Sequence, residues 1–165
     1  MKKDIKLRQI ALLKRDAIAW NRYVSFCRRY NKDWYADLKG ANLMYENLNA
    51  ADLKGVDLKD ADLKGANLVN VNLEGANLTD ANLRYANLKA VNLEGATLVN
   101  ANLKDVNLAN ANLRGATLTG ANLLCANLLC ADLRGANLMD ADLRGADLDF
   151  SCIPLGEGGS IHKLR

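Results

Sequence analysis

The chain has little of what most active sites are built from. In 165 residues it holds one histidine, one proline, two phenylalanines and four cysteines, and aromatic residues make up only 5%. So few rings exclude a broad globular core packed on aromatic side chains. The single histidine, His162, reads as a solvated tail residue, so neither a histidine base nor a multi-histidine metal site is available. None of the serines Ser25, Ser151 and Ser160 is paired with a histidine in an ordered context. The run Gly156-Glu157-Gly158-Gly159-Ser160 lacks the lysine and the following helix of a phosphate loop. Cys27, Cys125, Cys130 and Cys152 have neither zinc nor redox spacing. No apolar run reaches signal-peptide or membrane-spanning length, since Ile10-Ala11-Leu12-Leu13 is followed at once by Lys14 and Arg15. These absences describe a non-enzyme without cofactor or metal, in a reducing, cytoplasmic setting.

What is present is a repeat. Leucine occupies every fifth position from Leu38 to Leu148, 23 times in succession. The residue two before it is Ala or Val in 22 units, Glu46 being the exception, and the residue just before it is always Asp, Asn or Thr. A period of five fits neither regular element. It would scatter the leucines around an α-helix and alternate them between the faces of a strand. A chain that turns a corner once per unit can bury both the leucine and the small residue, with Asp and Asn suited to the corner. At twenty-residue spacing, Gly55, Gly75, Gly95, Gly115 and Gly135 fall in one column. That implies four sides per coil, with one glycine corner at positive φ. Cys125 and Cys130 then sit on adjacent corners, which argues against a disulfide between them.

The run [A/V]-[D/N/T]-L-x-x, as in Ala66-Asn67-Leu68-Val69-Asn70, resembles the pentapeptide repeat family. The resemblance implies an all-β solenoid, a right-handed quadrilateral β-helix, here of about six coils. The expected organisation is an N-terminal α-helical cap over 1–35, the β-helix over 36–155 and a flexible tail over 156–165. Helical openings with a Trp-Asn pair, here Trp20-Asn21, resemble those of cyanobacterial members and imply a bacterial source.

Charge divides along the chain. Residues 1–35 carry ten Lys/Arg against three Asp, whereas 36–150 carry ten Lys/Arg against fifteen Asp/Glu. Ile10, Leu13, Ala17, Trp20, Val24 and Cys27 recur at spacings of three and four, one face of a single amphipathic helix. Trp20 and Val24 are expected to cap the first coil, and a basic helix for a membrane or acidic partner is the competing reading. At the far end Phe150, Ile153, Pro154 and Leu155 are expected to fold over the last coil. The gyrase-targeting members of the family use that end for dimers, but with a longer C-terminal element, so a monomer is favoured over an end-to-end dimer.

Function must lie at the outward positions. The residue after leucine forms a column of Met44, Lys64, Arg84, Lys104, Leu124 and Arg144, with Tyr85 beside Arg84 and Leu129 on the adjacent side. Lys64, Arg84, Tyr85, Lys104, Leu124, Leu129 and Arg144 are the candidate partner-binding residues: a basic stripe ending in an apolar patch. The leading reading is a rigid module or scaffold for an unidentified protein partner. The alternative is DNA mimicry against gyrase or topoisomerase, which the resemblance permits. It needs a long negative surface, and the basic stripe interrupts one here. Those relatives also place phenylalanine at many core positions where this chain has only leucine. Binding of nucleic acid through Arg28, Arg29 and Tyr30 is not expected, because basic residues spread around a helix read as a solvated face.

Overall fold

The structure is a computed structural model that describes residues 2–32 and 34–152. The expected cap residues Ile153, Pro154 and Leu155 and the tail 156–165 lie outside the described residues. Two helices, α1 (Lys2–Arg15) and α2 (Ala17–Tyr30), precede the repeats. From Asp37 onward the backbone pairs in parallel with itself at a separation of twenty residues. Asp37 bridges Asp57, Asn82 bridges Asn102 and Asp132 bridges Cys152. Five residues per side and twenty per coil give four sides. Each bridge is one residue long, because a turn intervenes before a second residue can pair.

The hydrogen bonds explain the register. Leu83 N–H donates to the Asn102 carbonyl (2.8 Å) and Asn102 N–H donates back to Ala81 (2.9 Å). Between sides, the N–H of each small residue closes a four-residue turn on the preceding leucine carbonyl, as Ala86 does on Leu83 (3.0 Å). The third residue of every turn has a left-handed φ, including Gly95 (+64°), Ala90 (+55°) and Asp105 (+56°). The expected single glycine corner is therefore corrected: all four corners need positive φ, and non-glycine residues supply most of them. The Asp and Asn residues just before each leucine do not make the corner either. They form the bridge at mid-side, where the side-chain Oδ1 accepts the backbone N–H two residues on, as Asp37 does from Lys39 (3.1 Å). Asn adds a second role that Asp cannot fill. Its amide donates to the residue one coil below, as in Asn112 to Asn92 (3.0 Å) and Asn82 to Asp62 (3.1 Å).

The leucines from Leu38 to Leu133 and the small residues between them are buried in one continuous column. Each buried leucine contributes roughly 1.5–3 kcal/mol. In the last coil Leu138 and Leu148 are only partly covered. Phe150 does not cap that end. It occupies a left-handed corner (φ +55°) and is 86% exposed, because the third turn residue points away from the core.

The expected single helix is two. The apolar spacing runs unbroken through Asp16, but its carboxylate accepts Ile18 N–H (2.8 Å) and Ala19 N–H (3.2 Å) and so starts a new helix. Leu13, Trp20 and Val24 are buried in the same core as the first-coil leucines, while Ile10, Ala17 and Cys27 are partly covered. Trp20-Asn21 stands in for a missing strand. Trp20 Nε1 donates to the Asp52 carbonyl (2.8 Å), and Asn21 Oδ1 accepts the Asp52 N–H (2.7 Å). Arg28 meets the Asp52 carboxylate and the Lys54 carbonyl. Glu46, the one departure from Ala or Val, lies 2.9 Å from Lys14 of α1. The break in the repeat marks the helix contact.

Two measurements check this account. No atom lies within 4 Å of a Cβ placed on Gly95, so Gly95→Ala should cost only the left-handed penalty, about 1–2 kcal/mol, and Ala90→Gly should be neutral or stabilising in denaturant unfolding. Trp20→Ala removes a buried ring and uncovers the first coil's edge. It should cost roughly 3–5 kcal/mol and give concentration-dependent association in sedimentation.

Candidate functional site

One corner of the rod gathers the candidate residues other than Leu129, which lies in the next turn around the coil. Each side chain of the basic column projects from a backbone N–H held by the Asp or Asn two residues earlier. Lys64 N–H donates to Asp62 (3.1 Å), Arg84 to Asn82 (3.3 Å), Lys104 to Asn102 (3.2 Å) and Arg144 to Asp142 (3.2 Å). The corner backbone is tied coil to coil, with Gly65 N–H on the Arg84 carbonyl (2.9 Å) and Tyr85 N–H on that of Lys104 (3.2 Å). Lys64, Arg84 and Lys104 therefore rise by about 4.8 Å per coil, the distance between paired strands. The local repeat chemistry makes the scaffold rigid, and the variable position supplies the charge.

The cations differ in how far they are engaged. The Arg84 guanidinium stacks on the Tyr85 ring, 4.5 Å from its centre, and reaches the Tyr85 hydroxyl. Its Nε is buried, has no hydrogen-bond partner and sits 3.9 Å from an Asp105 carboxylate oxygen. Arg144 is clamped by Asp142 at 2.9 and 2.7 Å, which raises its pKa and neutralises its charge locally. Among the described residues Lys64 and Lys104 have no ion-pair partner. Elsewhere on the rod several lysines are paired with an acid: Lys54 with Glu74 (2.9 Å), Lys59 with Asp80 (3.6 Å) and Lys39 with Asp60 (3.9 Å).

The structure brings Lys64, Arg84, Tyr85 and Lys104 together on one corner. Leu124 belongs to the Cys125 turn of this corner and Leu129 to the next turn around the coil, at Cys130, and both are half-buried, so the apolar patch is smaller than the sequence reading implies. Two contributors were missed. Exposed Tyr45 lays its ring over Gly65, where a Cβ would fall 2.5 Å from the ring, and exposed Lys89 stands on the adjacent side. The Tyr-Gly-Tyr alternation of Tyr45, Gly65 and Tyr85 was the available signal. The corner offers cationic and aromatic contacts. Among the described residues no group of His, Cys, Asp and Glu could hold a metal, and no helix is long and apolar enough to cross a membrane. All four cysteines are free thiols.

A family model of pentapeptide repeats matches eight copies within residues 35–68, 47–84, 57–95, 86–123 and 125–152. Among solved structures, a pentapeptide repeat protein of the Arabidopsis thaliana thylakoid lumen aligns at 30% identity and a TM-score of 0.58, covering 63% of this chain and 71% of that one. Rfr23, a pentapeptide repeat protein of the cyanobacterium Cyanothece 51142, aligns at 27% identity and a TM-score of 0.53, covering 80% of this chain and 99% of that one. HetL of Nostoc, involved in heterocyst differentiation regulation, aligns at 31% identity and a TM-score of 0.41, covering 74% of each chain. No curated protein matches the sequence. The family match, the Arabidopsis protein and Rfr23 imply a right-handed β-helix solenoid.

The same clamp seen at Arg144 recurs at Asp132, whose hydrogen bonds from the Arg134 side chain hold its carboxyl at about 2. An NMR titration should place the Asp132 midpoint there, and Arg134→Ala should raise it toward the ordinary value. A depressed native pKa stabilises the fold above the unfolded value, so this contribution should be lost as pH falls toward 2.

Proposed function

The chain belongs to the pentapeptide repeat family, and from that premise we propose that it is a non-catalytic interaction module whose rod presents the Lys64–Arg84–Tyr85–Lys104 corner to a protein partner. The uncommitted charge of Lys64 and Lys104, on either side of the Arg84–Tyr85 stack, carries the reading. Their backbone is fixed by hydrogen bonds on both edges, so little ordering entropy is lost on binding. Arg and Tyr are the residue types that dominate interface energies when a partner excludes water from them. A reducing compartment such as the cytoplasm suits the four free thiols. DNA mimicry is disfavoured because this corner is cationic where a phosphate-like surface would be anionic.

Affinity capture with the wild-type chain and a Lys64→Glu/Lys104→Glu variant tests the proposal. Reversal of both charges should weaken the captured complex by at least roughly tenfold while melting stays unchanged, because both side chains lie on the surface. Retention of every partner by the variant would remove this corner from the interface. Inhibition of gyrase supercoiling by the wild-type rod would favour mimicry instead.

A further inference from the structure

The helices that close the rod have a second face that the closure does not use. Leu13, Trp20 and Val24 point into the first coil, and Arg28 is held by Asp52 and Lys54. On the opposite side of α2, Ile18, Arg22, Ser25, Phe26, Arg29 and Tyr30 are all exposed. Ile18 is 67%, Phe26 63% and Tyr30 74% accessible, and the Phe26 and Tyr30 rings pack on each other with centres 4.8 Å apart. Among the described residues Arg22 and Arg29 have no ion-pair partner. No Asp or Glu lies between Asp16 and Asp33. A shallow groove runs along this face between Ile18 and Phe26.

We propose that the outer face of α2 docks on an anionic lipid bilayer, with the rod standing away from the membrane. Apolar and aromatic side chains interleaved with arginines are what an interfacial helix needs. The apolar groups enter the headgroup boundary, and the arginines meet lipid phosphates. At 100° per residue, the arc from Ile18 through Arg22 and Phe26 to Tyr30 covers about 120° of helix surface. The i, i+3, i+4, i+7 row by which a helix enters a protein groove spans about 100°, a similar width, so charge rather than width selects the flat anionic surface. Charge supports the same geometry. The segment 1–35 has ten cations against three acids, whereas 36–150 has fifteen acids against ten cations. A negative surface attracts the helical end and repels the rod, so contact is end-on and the Lys64–Lys104 corner stays free for its partner.

Flotation of the full chain with vesicles tests this. With equal parts phosphatidylglycerol and phosphatidylcholine at low salt, the wild-type chain should float. With phosphatidylcholine alone it should not, and added salt should release it. Ile18→Ser/Phe26→Ser and Arg22→Glu/Arg29→Glu should each reduce partition by at least roughly tenfold with unchanged melting, since all four side chains face solvent. Lys64→Glu/Lys104→Glu should float like the wild type, which keeps this result separate from that of the partner corner. Failure of the wild-type chain to float on anionic vesicles would overturn the proposal and leave the face to an acidic protein. Equal flotation on neutral vesicles, or retained binding by both α2 variants, would also overturn it.

Discussion

Everything in this molecule depends on a backbone that turns one corner per five residues and meets itself again after twenty. Four hydrogen bonds per unit enforce it: three to the neighbouring coils and one across the turn. The geometry leaves room inside for one leucine and one small residue per side, so the core is repetitive by necessity. It also requires a left-handed residue at each of the 23 corners; Gly, Asn or Asp fill most of them, and Ala, Tyr, Cys and Phe fill the rest at a cost. The buried leucine column outweighs this accumulated strain. Contacts run only between successive coils, so both ends are exposed to the same difficulty: unpaired backbone groups and an open core.

The N-terminal end shows how that difficulty is met. An indole, a carboxamide and a guanidinium take the places of a further coil's backbone groups at Asp52 and Lys54. The closure needs only one face of α2. Its other face is then free to carry an apolar and basic surface, and the rod corner carries another. A solenoid of this kind separates stability from recognition, because two of the five positions hold the core and the two turn positions vary with little effect on it.

The periodic part of this design was legible in the sequence because a strict period survives without any tertiary information. The leucine column, the four-sided coil and the Lys64–Arg84–Lys104 stripe all follow from counting. The aperiodic parts were hidden. Glycine marked only those corners where no side chain had been retained, so Gly55 to Gly135 looked like a special corner when Ala90 and Asp105 adopt the same φ. Asp16 sits between Leu13 and Ala17 without disturbing their spacing, and only its hydrogen bonds reveal a new helix. Glu46 was visibly irregular, but its partner Lys14 lies far away in sequence. Phe150 read as a core residue by type and is a corner residue by position. Arg144 reads as a free cation by its column, but Asp142, two residues before it, clamps it.

The central claim is the twenty-residue coil, and through-hydrogen-bond scalar coupling in NMR tests it most directly. The Leu83 amide nitrogen should couple to the Asn102 carbonyl carbon, and the Asn102 amide to that of Ala81. Couplings that join residues one side fewer or one side more around the coil would contradict the account, as would the helical pattern of amides coupled to carbonyls four residues earlier.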